Sequence, residues 1–138
     1  MNELEFLLIF FVIIFIPLFL VMILTVVAYW KLFVKAGEEG WKSLIPVYST
    51  YIAIKLGFGE DKIWLIAGVF VGLFGGLLGE SSLGVFLSLI SIGFNMYISY
   101  GFMRRFTDEG MALASLFIPF IIYPIAAFNS KYQYRPIE

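Results

Sequence analysis

Few residues in this sequence have side chains that could do chemistry. Ser43 follows Lys42, Ser49 stands upstream of Lys55, and acidic pairs occur at Glu38/Glu39, Glu60/Asp61 and Asp108/Glu109. A serine activated by a lysine base would attack an acyl group, and paired carboxylates would transfer protons. The spacing opposes both. Neighbouring helical residues point ~100° apart, so Lys42 and Ser43 do not meet, and Ser49 and Lys55 are also misaligned. The acidic pairs are adjacent in loops and read as ordinary solvation. The chain has no histidine and no cysteine, which removes imidazole bases, thiolate nucleophiles, disulfides and the usual transition-metal ligands. No strand precedes a glycine-rich phosphate loop. The expectation is a protein that is not an enzyme, with no catalytic residue, metal site or cofactor.

The surrounding residues set the environment. The 138-residue chain is 62% hydrophobic and 14% charged, with mean hydropathy +0.97. A soluble domain is about 45–50% apolar and about 25% charged. The composition is that of an integral membrane protein in one domain, residues 1–138. The net charge of −1 gives no reason to expect a nucleic-acid partner. "MNELEF" carries glutamates where a cleavable signal carries basic residues, so the first apolar run is expected to be retained.

The apolar runs predict an all-α bundle of four transmembrane helices, about 6–30, 63–78, 83–103 and 111–128, plus a cytoplasmic interfacial amphipathic helix over about 41–56. Pro17 offers a kink in the first span, and Pro119 and Pro124 should bend the fourth. No Asp, Glu, Lys or Arg falls inside a span, which removes the usual pointer to an ion or proton pathway. Lys31, Lys35, Lys42, Lys55, Lys62, Arg104 and Arg105 occupy the first and third loops, against Lys131 and Arg135 in the tail. This asymmetry predicts cytoplasmic loops and both termini outside, in the plasma (inner) membrane of a prokaryote.

The segment "FVKAGEEGWKSLIPVYSTY", 33–51, interrupts the apolar runs. Trp41, Leu44, Ile45, Tyr48, Tyr51 and Ile52 follow a helical stripe, with Lys42, Ser43, Ser49, Thr50 and Lys55 on other faces. Pro46 should bend or divide that helix, and Gly37 and Gly40 permit a sharp turn off the first span. Three uses fit: a connector with interfacial anchors, a docking platform for a partner or lipid headgroup, or a re-entrant element lining a pore. The candidate docking residues are Lys35, Gly37, Gly40, Trp41, Pro46, Tyr48 and Tyr51.

The second span carries Gly68, Gly72, Gly75, Gly76 and Gly79 on one face, and the third carries Ser88, Ser91, Asn95 and Ser99. Small residues let membrane helices approach closely. With only "GESS" between them the two spans must form an antiparallel hairpin. Asn95 is expected to bond across the bundle, and Gly101 to lie off the packing face. Gly68, Gly72, Gly76, Ser88, Ser91, Asn95 and Ser99 are therefore candidates for helix packing, a polar groove or a self-association seam.

"WKLFVKAGEEGWKSLIPVYSTYIAIKLGFG" (30–59) and "LASLFIPFIIYPIAAF" (113–128) resemble a family of small multi-span bacterial membrane proteins of unknown function. Its pattern matches Phe33, Lys35, Ala36, Gly37, Gly40, Trp41, Leu44, Ile45, Pro46 and Tyr48, and departs at Ser49, where members often have asparagine. Similar segments precede the peptidase domain in some proteins labelled signal peptidase I, but no peptidase sequence is present here. The resemblance implies a helical membrane fold and supplies no catalytic residue. The expected function is an accessory or structural subunit that binds other membrane proteins or itself in the lipid bilayer, with links to protein export or envelope maintenance. The alternative is a homo-oligomeric channel or small-solute transporter lined by the third span.

Overall fold

The structure, a computed structural model, describes residues 1–137. They form six α-helices: α1 (Glu3–Lys35), α2 (Pro46–Phe58), α3 (Leu65–Leu78), α4 (Ser82–Arg104), α5 (Glu109–Ser115) and α6 (Pro119–Phe128). Short 3₁₀ turns at Gly40–Leu44 and Glu60–Lys62 precede α2 and α3. Three helical segments are long and apolar enough to cross a membrane: Glu3–Lys35, Glu60–Leu78 and Ser82–Arg104.

Helix α1 begins in a capping box, in which the Asn2 side chain accepts from the Glu5 amide and the Glu5 carboxylate accepts from the Asn2 amide. Its 33 residues continue through Pro17, and at ~1.5 Å each they reach roughly 50 Å. The helix ends where Gly37 turns the chain at φ +85°, a conformation that disfavours any side chain. No residue from Glu3 to Val27 is buried, whereas Ala28, Leu32 and Phe33 are completely so. Only the last third of α1 packs against the rest of the chain.

Helices α3 and α4 form the expected antiparallel hairpin, with Ser81 capping α4 through the Gly84 amide. Their seam is narrower than the sequence face. A Cβ at Gly68 would strike the Phe94 ring at 2.2 Å, one at Gly72 would lie 2.4 Å from Ser91 Oγ, and one at Gly75 2.5 Å from Ser88 Oγ. Gly76 departs from expectation, since a Cβ there would meet nothing within 4 Å. Asn95 departs too: its Nδ2 donates to the Ser91 carbonyl of its own helix. The hydrogen bond across the seam comes from Ser91, whose Oγ donates to the Val69 carbonyl at 2.9 Å.

Pro46 divides the amphipathic stripe. It occupies the first turn of α2, where a missing amide costs nothing, and leaves Trp41 and Leu44 in the preceding 3₁₀ turn. The buried residues of α2 are Ser49, Ile52, Ala53, Ile54, Leu56 and Gly57; of the predicted stripe only Ile52 is among them, while Tyr48 and Tyr51 are half-buried. A Cβ at Gly57 would come within 2.9 Å of the Phe102 amide nitrogen, so α2 and α4 approach backbone to backbone. Gly101, expected off the packing face, lies under the Phe58 ring. At its other end α2 places Pro46 and Val47 in one groove with Phe70 and Leu73 of α3. Helix α2 thus packs alongside α4 through its buried face.

The fourth predicted span is corrected. Residues 111–128 do not run as one bent helix: α5 stops at Ser115, and α6 restarts at Pro119 after Ile118 (φ −130°, ψ 58°). Proline removes an amide and drives the preceding residue out of helical conformation, so the chain can double back. The far end of α6 returns to the end of α1, where Lys31 Nζ sits 4.9 Å from the Phe128 ring centre. The tail then reaches the α4–α5 turn, with the Arg135 amide donating to the Arg105 carbonyl at 2.8 Å. Both ends of the α5–α6 hairpin therefore lie at one end of the molecule. The expectation that the tail lies opposite the 104–110 loop is overturned by that contact.

Candidate functional site

All nine lysines and arginines of the sequence lie at the end where α1 and α4 finish. Glu3, Glu5 and Glu80 lie at the remote ends of α1 and the hairpin. The buried core is gathered at the same basic end: Phe33, Ile52, Ile54, Phe102 and Met103 are its largest members apart from Leu32. Tyr29 and Phe33 of α1 meet Phe102 of α4 edge-on, at 5.6 and 5.8 Å between ring centres.

On the flank of this core, Trp41, Tyr48 and Tyr51 come together as a ladder. Trp41 and Tyr48 stack at 6.1 Å, and Tyr48 and Tyr51 at 6.0 Å with their planes 5° apart. Three expected backbone devices build it. Gly37 makes the turn, Gly40 lies beneath the Trp30 indole where a Cβ would collide, and Pro46 starts the helix that carries both tyrosines. Trp41 remains 44% exposed and Tyr48 and Tyr51 are half-buried, so among the described residues none closes over the ladder's outer edge.

Charges fix the ladder's base. Glu38 accepts from Lys42 Nζ at 2.9 Å and from Lys55 Nζ at 3.2 Å, while its side chain is only 12% exposed. Burial works to raise the Glu38 pKa, but the two lysine hydrogen bonds outweigh it and hold the carboxyl below its usual value. Lys42 Nζ also sits 5.7 Å from the Tyr48 ring centre, within cation–π range.

Lys35 belongs elsewhere. Its ammonium donates to the carbonyls of Ala126 at 2.8 Å, Asn129 at 3.0 Å and Tyr132 at 2.7 Å. An ammonium has three donors, so none is left for a partner. Placed at the C-terminus of α6, the charge also complements the helix dipole. Lys35 is a clasp for α6 and the tail, not a docking residue.

The polar face of α4 is shared between two places. Ser88 and Ser91 lie in the hairpin seam. Asn95 and Ser99 instead line a cavity of about 120 Å³ with Tyr29, Thr50 and Tyr123, contributed by α1, α2 and α6. Sequence reasoning missed those three and the tail residues Tyr134 and Arg135. Tyrosines within apolar runs were the available signal for the cavity. For the tail it was the pair of basic residues that fell on the wrong side of the charge count.

A small all-helical membrane protein, with its core and its basic residues at one end, is the class that this fold and site define. The chain belongs to the family of unknown function DUF5684, whose model matches residues 41–136. The match spans the ladder, α2 to α6 and Arg135; Lys35, Gly37 and Gly40 precede it. No curated protein and no solved structure matches the chain.

Proposed function

We propose that this protein is a non-enzymatic accessory subunit of a prokaryotic plasma-membrane complex, docking a partner membrane protein on the Trp41–Tyr48–Tyr51 ladder. In this reading α1, α3 and α4 cross the bilayer, while α2 and the α5–α6 hairpin enter from the cytoplasmic side and return to it. The N-terminus is outside. The tail, contrary to the expectation from sequence, is cytoplasmic. The charge distribution supports this orientation, because every lysine and arginine then lies on the cytoplasmic side. At ~1.5 Å per residue the ten residues of α6 reach roughly 15 Å, about half of the ~30 Å hydrocarbon core.

The observation that carries the docking reading is the open edge of a pre-stacked ladder. Aromatic anchors dominate many interfaces, and rings already held by stacking lose little further freedom on binding. The test places a photocrosslinking amino acid at Leu44, beside the ladder, or at Phe74 on the hairpin, in the native host. The expected result is a discrete protein adduct from Leu44 that disappears with Trp41→Ala plus Tyr48→Ala, and lipid adducts alone from Phe74. Lipid adducts alone from both positions would overturn the docking reading.

The cavity lined by Tyr29, Thr50, Asn95, Ser99 and Tyr123 favours a second reading, a small-solute channel or transporter. Solute flux through the purified protein in liposomes, altered by Asn95→Leu, would select it over the first.

A further inference from the structure

A second recess at the basic end is a cleft of about 700 Å³ between α2, α4 and the tail, lined by Phe58, Tyr97, Tyr100, Arg104, Arg105 and Arg135 among others. We propose that this cleft binds the phosphate headgroup of an anionic phospholipid from the cytoplasmic leaflet. The proposal shares the membrane orientation given above and is independent of whether the aromatic ladder binds a protein.

Three cations share this recess, and no described carboxylate pairs with any of them. Among the described residues the ion pairs join Glu38 to Lys42 and Lys55, and Asp61 to Lys62; none involves an arginine. Like charges held together repel, and an anion between them relieves that repulsion.

The guanidinium groups are also held in place. Arg105 Nε donates to the Gly57 carbonyl at 3.0 Å. Arg135 Nη2 donates to the carbonyls of Arg104 and Thr107. Arg104 Nη1 makes one long bond, 3.4 Å, to the Thr107 carbonyl. A guanidinium carries five N–H donors, so each arginine is anchored through one nitrogen and retains others for a ligand. Fixed forks of this kind match phosphate oxygens in bidentate fashion.

The remaining wall explains why the ligand is a lipid. Phe58 and Tyr97 stack at 4.8 Å, and Tyr97 is 54% exposed. From Tyr97 to Arg104 the axis of α4 rises roughly 10 Å at ~1.5 Å per residue. The cleft therefore runs from an aromatic wall on a spanning helix to a cationic end beyond it. A soluble phosphate would use only the cationic end. A phospholipid fits both, with its phosphate on the arginines and its glycerol and upper acyl chain along Phe58 and Tyr97.

The test measures lipid binding to the purified full chain in mild detergent by native mass spectrometry. Its probes are phosphatidylglycerol, phosphatidylcholine with the same acyl chains, and glycerol 3-phosphate as competitor. Phosphatidylglycerol should bind at least about tenfold tighter than phosphatidylcholine, the contribution of two or more arginines beside anionic lipid. Arg104→Gln, which gives up only one long hydrogen bond, should weaken phosphatidylglycerol roughly fivefold and leave phosphatidylcholine unchanged. Arg104→Lys should recover most of the loss. Tyr97→Ala, a separate surface change, should weaken both lipids and so tests the aromatic wall if Arg104→Gln fails to fold. Equal binding of the two lipids by the parent would overturn the proposal, as would parent-like phosphatidylglycerol binding by both Arg104→Gln and Tyr97→Ala. Complete displacement of lipid by glycerol 3-phosphate at low millimolar concentration would assign the cleft to a soluble phosphate and equally overturn it.

Discussion

Gly72 and Gly76 lie one helical turn apart on α3, and the structure assigns them opposite responses to one added methyl group. At Gly72 the new Cβ would lie 2.4 Å from Ser91 Oγ and 2.8 Å from Ser91 Cβ. The hydroxyl could rotate away, giving up its bond to the Val69 carbonyl; such interhelical bonds average ~0.6 kcal/mol in membrane proteins. The Cβ cannot rotate away. Carbon atoms in contact prefer about 3.5–4.0 Å, so α3 and α4 must separate locally by several tenths of an ångström. Overpacking of this kind costs about 1–3 kcal/mol; with the lost bond added, and alanine's helix-propensity gain of up to about 1 kcal/mol subtracted, Gly72→Ala should cost about 0.5–3.5 kcal/mol. At Gly76 the methyl meets open space, and the better helix propensity of alanine contributes between zero and about 1 kcal/mol of stability. Unfolding of each purified variant in mixed micelles of rising dodecyl sulfate fraction, followed by circular dichroism, measures the difference. Equal stability of the two variants, or a less stable Gly76→Ala, would refute the seam described here.

Three further outcomes are expected. Single cysteines at Ser130 and Glu38 should react with an impermeant thiol reagent from the same side, and one at Glu80 only from the other; labelling of Ser130 with Glu80 would restore a fourth crossing. Lys35→Met leaves two part-buried carbonyls and one exposed one without their cation. With about 1–2 kcal/mol for each part-buried charged hydrogen bond, discounted from the ~1.5–3 of a buried one, and little for the exposed one, the loss should be about 2–4 kcal/mol, read as faster amide hydrogen exchange over 129–135. Because the Glu38 carboxyl is held below its usual pKa, its contribution to stability is present above its unfolded value of ~4.3 and lost as pH falls through the lowered folded value. Glu38→Gln should therefore flatten the acid limb of a stability–pH curve below about pH 5, and an unchanged limb would exclude Glu38 as its source.

The three long apolar helices were legible because length and hydropathy alone define them. The hairpin seam was legible in residue type but not in register. A face spanning a third of a helix is wider than the strip a neighbour touches, and Ser91 and Phe94 decide which glycines fall within it. The segment 111–128 was misjudged for a different reason. An apolar run looks the same whether it crosses or doubles back, and what distinguishes the two lies outside it, in Arg135 on Arg105 and Lys35 on Ala126. The ladder's residues were recognisable because Gly37, Gly40 and Pro46 act locally. The burial of Gly57 was not, because it depends on the close approach of α4 at Gly101 and Phe102. The hydroxyl-lined cavity draws on four helices, so no single stretch of sequence announces it.

The lysine clasp also sets an order of events during synthesis. Lys35 bonds to residues 91 to 97 positions later in the chain. At ~5–20 residues per second, roughly 5–20 s pass between translation of the first span's end and of its last clasping partner. Insertion of α1 and assembly of the basic end are therefore separate events in time. Until then the apolar surface of α2, and that of α4 once it is made, lack the cover that α6 and the tail bring to the core, and an insertase or chaperone has its longest opportunity to hold them.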